Sequence, residues 1–415
     1  MALHSSLRAL KYYNFRLYFV GQAISLIGTW MQRLAVSWLV YNVTHSAFWL
    51  GVVAFAGQIP VLLLSPYAGA YVDRHSRYRT LLKTQIASMI QAGLLSLIVF
   101  IGFYNIPAII FLSVCLGVIN AFDTPARQSM MIVLVKEKKD LPNAIALNSS
   151  MVTLARLVGP AVGGILLSSY GEDVCFFLNF LSFVAVIASL LLMKIKVPEQ
   201  KKAQEHILKN LKDGYQYIIH NIGLRSAILH MALISLLVMP YTTLLPVYAK
   251  AVFKGDVTTF SWLNSISGLG ALIGAIFMAN LKTGRNLLRI IIYATLLFCI
   301  CLSVFSFNKN ILVALLFIML AESGLLAMIA ATNTYIQTNV DEKMRGRVIS
   351  YYVMAFQGMQ PIGSFLVGAS AHYFSGPHTV LIEGISGIIV TLSFIPYFRR
   401  ARRAMPKPIV VMEER

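Results

Sequence analysis

A succession of long apolar runs constrains this chain more than any other feature. The runs fall near 17–41, 48–72, 81–103, 107–135, 143–169, 175–193, 226–249, 259–280, 287–307, 311–338, 348–373 and 379–398. A hydrocarbon layer of ~30 Å is crossed by about 20 helical residues rising ~1.5 Å each. Twelve transmembrane helices are therefore expected, and they take up most of the 415 residues. Composition agrees: 58% of the chain is apolar and 12% is charged, whereas an ordinary soluble domain is about a quarter charged. The expected fold class is an all-α membrane protein, with no room for a soluble catalytic domain.

The net charge of +19 reads as topology. With both termini placed in the cytoplasm, 30 of the 35 Lys and Arg residues fall on the cytoplasmic side. Three, Lys250, Lys254 and Lys309, fall outside, and Arg33 and Arg156 lie within apolar runs. Loops rich in Lys and Arg stay on the cytoplasmic side, so the even span count and cytoplasmic termini follow together. Nucleic-acid binding would instead need basic residues gathered with stacking aromatics on one folded face, and no nucleic-acid partner is expected. Cys115, Cys175, Cys299 and Cys301 lie in or beside apolar runs with no His at metal-ligand spacing, and read as small buried hydrophobes. The first apolar run has no small-residue cleavage site and continues as a span.

The longest polar stretch, 194–225, separates six runs from six. It divides the chain into an N-terminal six-helix half (1–193), a cytoplasmic linker (194–225), a C-terminal six-helix half (226–398) and a basic cytoplasmic tail (399–415). Within the linker Ile207, Leu211, Tyr215 and Ile218 recur at helical spacing, which predicts an amphipathic helix on the membrane face. The fifth run carries Gly159-Pro160-Ala-Val-Gly163-Gly164, and the eleventh a looser Pro361-Ile-Gly363 followed by Gly368. Two parallel six-helix repeats would place such clusters at matching positions.

The 2–3 loop reads Gly69-Ala-Tyr-Val-Asp73-Arg74-His-Ser-Arg77-Tyr-Arg79. A Gly here lets two helices approach closely, and Asp and Arg at the membrane edge form exchangeable ion pairs. This pattern resembles the hallmark of the major facilitator superfamily, with Ser76 and Tyr78 departing from its usual residues. Gly159-Pro160-x-x-Gly163-Gly164 resembles that superfamily's antiporter motif, where Pro removes a backbone donor and the glycines allow bending and tight packing. Further stretches, including Ala121-Phe-Asp123-Thr-Pro125-Ala-Arg127, Asn143-Ala-Ile-Ala-Leu-Asn148, Cys175-Phe-Phe-Leu-Asn179 and Arg345-Gly-Arg347-Val, resemble the branch containing the enterobactin exporter and related bacterial efflux carriers. The resemblance spans most of residues 14–398. Thr29 stands where many relatives have an acidic residue.

Charged residues within spans are functional candidates because their burial is costly. Arg33 lies 17 residues after Arg16, ~25 Å up the first helix and at the outer end of a cavity. Arg156, 14 residues after Pro142, lies ~21 Å up, a little past the midplane. Glu322, 12 residues after Asn310, lies ~18 Å in, near the middle. Burial favours the neutral form of a carboxylic acid, so an acid at that depth suits proton binding and release, with a structural pair to a neighbouring helix as the alternative. Arg33 and Arg156 suit an anionic or oxygen-rich cargo, although Arg156 equally suits pinning helices through backbone carbonyls. Gln22, Gln58 and Asn333, with Tyr241, Trp38 and Trp262, are further cavity candidates, and Glu383 is expected at the interface.

Asp123 lies 16 residues after Pro107, close to the cytoplasmic edge. The superfamily resemblance implies that such an acid pairs with the 2–3 loop arginines to latch the inner side. It assigns gating to Gly69, Asp73, Arg74, Arg77, Asp123, Arg127, Arg345 and Arg347. The implied activity is proton-coupled export of a siderophore or other amphipathic small molecule by rocker-switch alternating access across the bacterial inner membrane. Import, or lipid flipping, on the same fold is the alternative. The expected partners are the small-molecule substrate, protons and surrounding lipids; a monomer is expected and no cofactor is implied. The chain has no His-Glu-x-x-His, no nucleophile elbow and no Walker A run, which argues against an enzyme or an ATP-driven pump.

Overall fold

The structure is a computed structural model that describes residues 7–135, 137–195, 207–281, 286–342 and 344–404. Among these residues every regular element is helical. The first six long helices are α1 (Tyr13–Thr44), α2 (Ala47–Arg74), α3 (Arg77–Phe100), α4 (Ile106–Leu134), α5 (Leu141–Tyr170) and α6 (Glu172–Leu191). Then come α7 (Ile207–His220), α8 (Ile222–Leu237), α9 (Val257–Ala279), α10 (Leu287–Ser306) and α11 (Ile311–Asn339). The chain ends with α12 (Arg345–Val353), α13 (Met359–Phe374) and α14 (Gly376–Ala404). Among the described residues eleven segments are long and apolar enough to cross a membrane. The remaining apolar run is not one regular helix: α12 and α13 are joined by a π turn at Met354–Gly358.

Local chemistry sets the helix ends. Side chains of Ser76, Asn105, Asn221, Asp256, Asn286 and Asn310 each accept from backbone N–H groups of the helix that follows, satisfying donors a helix start leaves orphaned. Three of the sharpest connections need left-handed backbone: His45 after α1, Gly171 between α5 and α6, and Ser375 between α13 and α14. Past Leu237 the seventh apolar segment becomes a 3-10 turn (Met239–Leu244) and then a π turn (Tyr248–Val252). Pro240 and Pro246 lie in this stretch, and each removes a donor from the regular ladder.

The helices pack as two groups. In the first, α1 lies on α5 and α6, α2 on α4, and α3 on α4 and α6. In the second, α11 lies on α9 and α10, and α14 on α8 and α10. A buried amide chain ties the first group: Asn179 Nδ2 donates to Gln32 Oε1 at 2.7 Å, Gln32 Nε2 to Gln91 Oε1 at 3.1 Å, and Gln91 to the Leu112 carbonyl at 3.3 Å. This chain faces Gln32 towards α3 and α6. Residues on the opposite side of α1, including Trp30, face α5 instead.

The two groups meet mainly through α2 with α13 and α5 with α9. Where these helices approach the face opposite the termini, small residues carry the contact. A Cβ at Gly368 would lie 2.8 Å from the Ala47 carbonyl oxygen and 2.8 Å from Gly51 Cα. Trp38 stacks on Phe260 at 5.9 Å, Phe365 meets Phe48 and Phe55, and Lys250 donates to Asn42. Every described hydrogen bond, ion pair and ring contact between the groups lies on this side or at mid-depth. Towards the face bearing the termini the approach is looser, and a Cβ at Gly69 or Gly346 would meet nothing within 4 Å. Gly69 therefore mediates no close helix approach in this state, contrary to the sequence expectation.

The amphipathic linker helix is present as α7, although Ile207 and Leu211 have side chains outside the described set and residues 196–206 lie outside it altogether. Ile218 is buried and Tyr215 exposed. The helix docks on the second group: Arg347 Nη1 donates to Asp213 Oδ2 at 2.9 Å, and Tyr217 donates to Asp341 at 3.0 Å. On the same face of the first group Lys11 pairs with Asp140 at 2.7 Å, a hydrogen bond that holds the Asp140 carboxyl below its usual range. Filling the α2–α13 contact should open it. Overpacking costs about 1–3 kcal/mol, so Gly368→Val should lower the population closed on this face about fivefold or more. Spin labels at Tyr104 and Lys309 should then show a longer distance; an unchanged distribution would refute the small-residue seal.

Candidate functional site

The centre of the molecule is assembled by α9, which is wedged between α5 and α11. An added Cβ at Gly268 would lie 3.0 Å from the Arg156 carbonyl oxygen and 2.8 Å from Leu157 Cα. At Gly270 it would lie 3.0 Å from Glu322 Cβ. Two glycines on two faces of one helix thus bring α5 and α11 close enough for their charged side chains to meet. Arg156 Nη2 donates to Glu322 Oε2 at 2.9 Å, and the Tyr241 hydroxyl donates to Glu322 Oε1 at 2.7 Å. Glu322 is fully buried, while the Arg156 side chain is 28% exposed. The carboxylate therefore has a cation on one oxygen and a neutral donor on the other, and the pair joins the two helix groups.

A second feature adjoins the first. The Arg33 guanidinium carbon lies 4.8 Å from the Trp30 ring centroid, and that of Arg156 lies 5.9 Å from the same ring. Trp30 is half-buried and Arg33 exposed. At the root of the Trp30 side chain, a Cβ at Gly159 would lie 2.5 Å from Trp30 Cβ and 3.0 Å from the Ile27 carbonyl oxygen. Gly163 takes Met31 and Leu34 in the same way, and Gly164 packs on Ser261, whose hydroxyl donates to the Pro160 carbonyl at 2.7 Å. The Gly159, Pro160, Gly163 and Gly164 run thus seats α1 and α9 on α5, fixing Trp30 against the arginines and closing the groups beyond it.

The remaining candidates are placed variously. Gln22 is 1% exposed. Its neighbours on α1 pack it into the first group. Gln58 is half-buried, and Asn333 is half-buried and accepts from Gln337, one turn further along α11. Trp38 belongs to the closed face, and Trp262 is 57% exposed. Glu383, expected at an interface, is 3% exposed within the second group. Of the four cysteines, Cys175, Cys299 and Cys301 are buried and all are free.

The gating residues do not form one latch here. Asp123 is 2% exposed, and its carboxylate is taken by Arg127 one turn away on α4 and by Thr84 and Gln85 of α3, at 2.8 and 2.7 Å. The sequence expectation paired it with the 2–3 loop. Helical spacing puts Arg127 on the same face of α4, so the nearer cation holds the carboxylate. Arg77 reaches the Ser129 carbonyl at 3.5 Å, within its own helix group. Arg74 is exposed, and Asp73 closes α2 with a side chain outside the described set. Arg347 is engaged by Asp213 of α7, and Arg345 is exposed. Sequence reasoning missed Trp30, Gly268 and Gly270; the Gly-x-Gly spacing in an apolar run was the available signal for the last two.

If the central pair joins the groups, its members should be energetically coupled. Leaving one partner buried alone costs more than replacing both. A double-mutant cycle of Glu322→Gln and Arg156→Gln, read by thermal unfolding in detergent, should give a coupling of about 1–3 kcal/mol. Additive effects would refute the pairing.

Residues 4–407 match the family described as transmembrane secretion effector, of the major facilitator superfamily. The chain is 30% identical over 385 residues to the staphyloferrin A transporter of Staphylococcus aureus, covering 91% of this chain and 94% of that one. It is 23% identical to macrolide efflux protein A of Streptococcus pyogenes, covering 92% and 96%. It is 25% identical to a putative bacilysin exporter of Bacillus subtilis, covering 84% and 86%. Among solved structures, the nucleoside transporter NupG superposes with a TM-score of 0.73 at 11% identity, covering 93% and 99%. A bacterial homologue of ferroportin, in an inward-facing state, superposes with a TM-score of 0.70 at 16% identity, covering 93% and 98%. The helices, the central site and the full-length family match agree: the chain belongs to the transmembrane secretion effector family of the major facilitator superfamily, and is a multi-pass membrane transporter rather than an enzyme.

Proposed function

We propose that the protein exports a siderophore or another amphipathic small molecule across the bacterial inner membrane, coupled to proton entry, by rocker-switch alternating access. In this reading the broken stretch α12–α13 counts as the twelfth crossing. The face bearing both termini is cytoplasmic, as the distribution of Lys and Arg requires. Residues 1–193 and 226–398 are the two rocking halves, 194–225 links them, and 399–415 is a basic tail. The protein works as a monomer among its lipids. The closed face is then the outer one, and the state described here is open to the cytoplasm.

The observation that carries the reading is the Arg156–Glu322 pair, a buried link between the halves at mid-depth. A proton on Glu322 cancels the charge that holds Arg156, and so loosens the one ion pair described between the halves. Cargo enters from the cytoplasmic side against Trp30, Arg33 and Arg156, with Gln58 and Asn333 further along the path. When the inner ends close, Gly69 gains a neighbour. Asp123 and Arg127, Asp73 with Arg74 and Arg77, and Arg345 with Arg347 form the inner gate, for which Arg347 must leave Asp213. Relatives named as a staphyloferrin A transporter and a macrolide efflux protein support a small-molecule cargo, and the second name favours export over import.

The test is transport by the purified protein in proteoliposomes with an imposed pH gradient. Glu322→Gln, inserted normally, should lose at least about tenfold of gradient-driven transport while keeping gradient-independent exchange. Full gradient-driven transport without Glu322 would remove its proton role. Deletion cells should retain labelled cargo; cells that fail to accumulate it would reverse the direction.

A further inference from the structure

Two guanidinium groups lie against one indole ring in this site, yet only one of them has a carboxylate. Arg156 is paired with Glu322. Among the described residues Arg33 has no ion pair and no hydrogen bond, only its contact with the Trp30 ring. The charged groups that act on it are Arg127 and Arg156, both cations. Each of these is already balanced, Arg127 by Asp123 and Arg156 by Glu322. One positive charge is thus left unbalanced at Arg33, within a span and with its side chain exposed beside the Trp30 ring.

Such a charge is costly to keep within the membrane and is retained there for a partner. A ring contact does not replace a counter-ion, because cation–π attraction is modest where water still reaches the cation. It does set orientation. A guanidinium laid against a ring uses its face for that contact and leaves its N–H edge free, and that edge matches a carboxylate in a bidentate way. The α1 backbone at Trp30 is held close against Gly159, and the amide chain from Gln32 to Asn179 and Gln91 fixes the rotation of α1. The pair is therefore preorganised rather than loose.

We propose that Arg33 on Trp30 is the subsite for an anionic oxygen group of the cargo, so that the transported class is an amphipathic organic acid. The carboxylate or similar oxyanion docks on the Arg33 edge while the ring or hydrocarbon part of the cargo lies along Trp30. Arg156 stays with Glu322 and supplies field rather than direct contact. This rests on the reading of the cavity as the transport site and names the chemistry it selects.

Three probes that share a ring but differ in head group test it: 2-naphthoate, 2-naphthylmethanol and 2-naphthylmethylamine. Their binding to purified protein in nanodiscs is measured calorimetrically, independently of transport. The acid should bind about tenfold or more tightly than the alcohol, and the amine least well. In Arg33→Gln the ratio of acid to alcohol should fall to about one with the alcohol unchanged; Arg33→Lys should recover part of it. In Trp30→Leu all three should weaken together, and unfolding temperatures should show that each variant is folded. Equal binding of acid and alcohol to the unaltered protein would overturn the proposal. So would an acid preference that survives Arg33→Gln, or one lost only in Arg156→Gln, which would place the anion on Arg156. Export from cells is assayed separately: selective binding without export would sink the export reading and leave the subsite standing.

Discussion

The contact between Arg156 and Glu322 is the constraint around which the centre of the protein is arranged. It puts opposite charges where bare ones would be expelled from lipid, and the two belong to different helix groups. A hydrogen bond from Tyr241 and the close approach of α9 make the site possible. The lack of a side chain at two positions of α9 matters as much as the charges themselves. Had either Gly268 or Gly270 carried a methyl group, α5 and α11 would stand further apart and the carboxylate would lose its partner.

Around this centre the protein divides its polar contacts unevenly. Within the first helix group, buried amides and the Asp123 cluster bind neighbouring helices to one another. Between the groups, few polar bonds are described, and small residues and aromatic rings carry the closure at one face. Such an arrangement keeps each group stiff while leaving the contact between them reversible. Dispersion contacts across glycines are made and lost together, without the cost of stranding buried donors.

Much of the architecture was readable from the amino-acid order because lipid imposes one length on every crossing. Depth along a helix was readable too: counting residues from span ends put Arg156 and Glu322 near the middle. Their pairing was not, since the partners are 166 residues apart and depth carries no information on which way a side chain turns. For the same reason the sequence did not reveal that Gln22 and Glu383 are both buried. Asp123 shows the opposite failure. A distant loop was preferred as its partner although Arg127, four residues on, was already on the same helix face. The π turn at Met354–Gly358 was not legible because Met-Ala-Phe-Gln-Gly contains no proline to mark a break in the helix.

The neutrality of the central pair has an electrical consequence. While Glu322 is ionised, it and Arg156 together carry no net charge, so reorienting them relative to the membrane field costs little. In the proposed proton-coupled cycle, a proton on Glu322 would leave the guanidinium as an uncompensated charge, and moving one charge through 100 mV is worth about 2.3 kcal/mol. The two legs of a transport cycle would then differ in voltage sensitivity: the membrane potential would act on the protonated leg and largely ignore the other. On that proposal, one ion pair would make the carrier responsive to the electrical as well as the chemical part of the proton gradient.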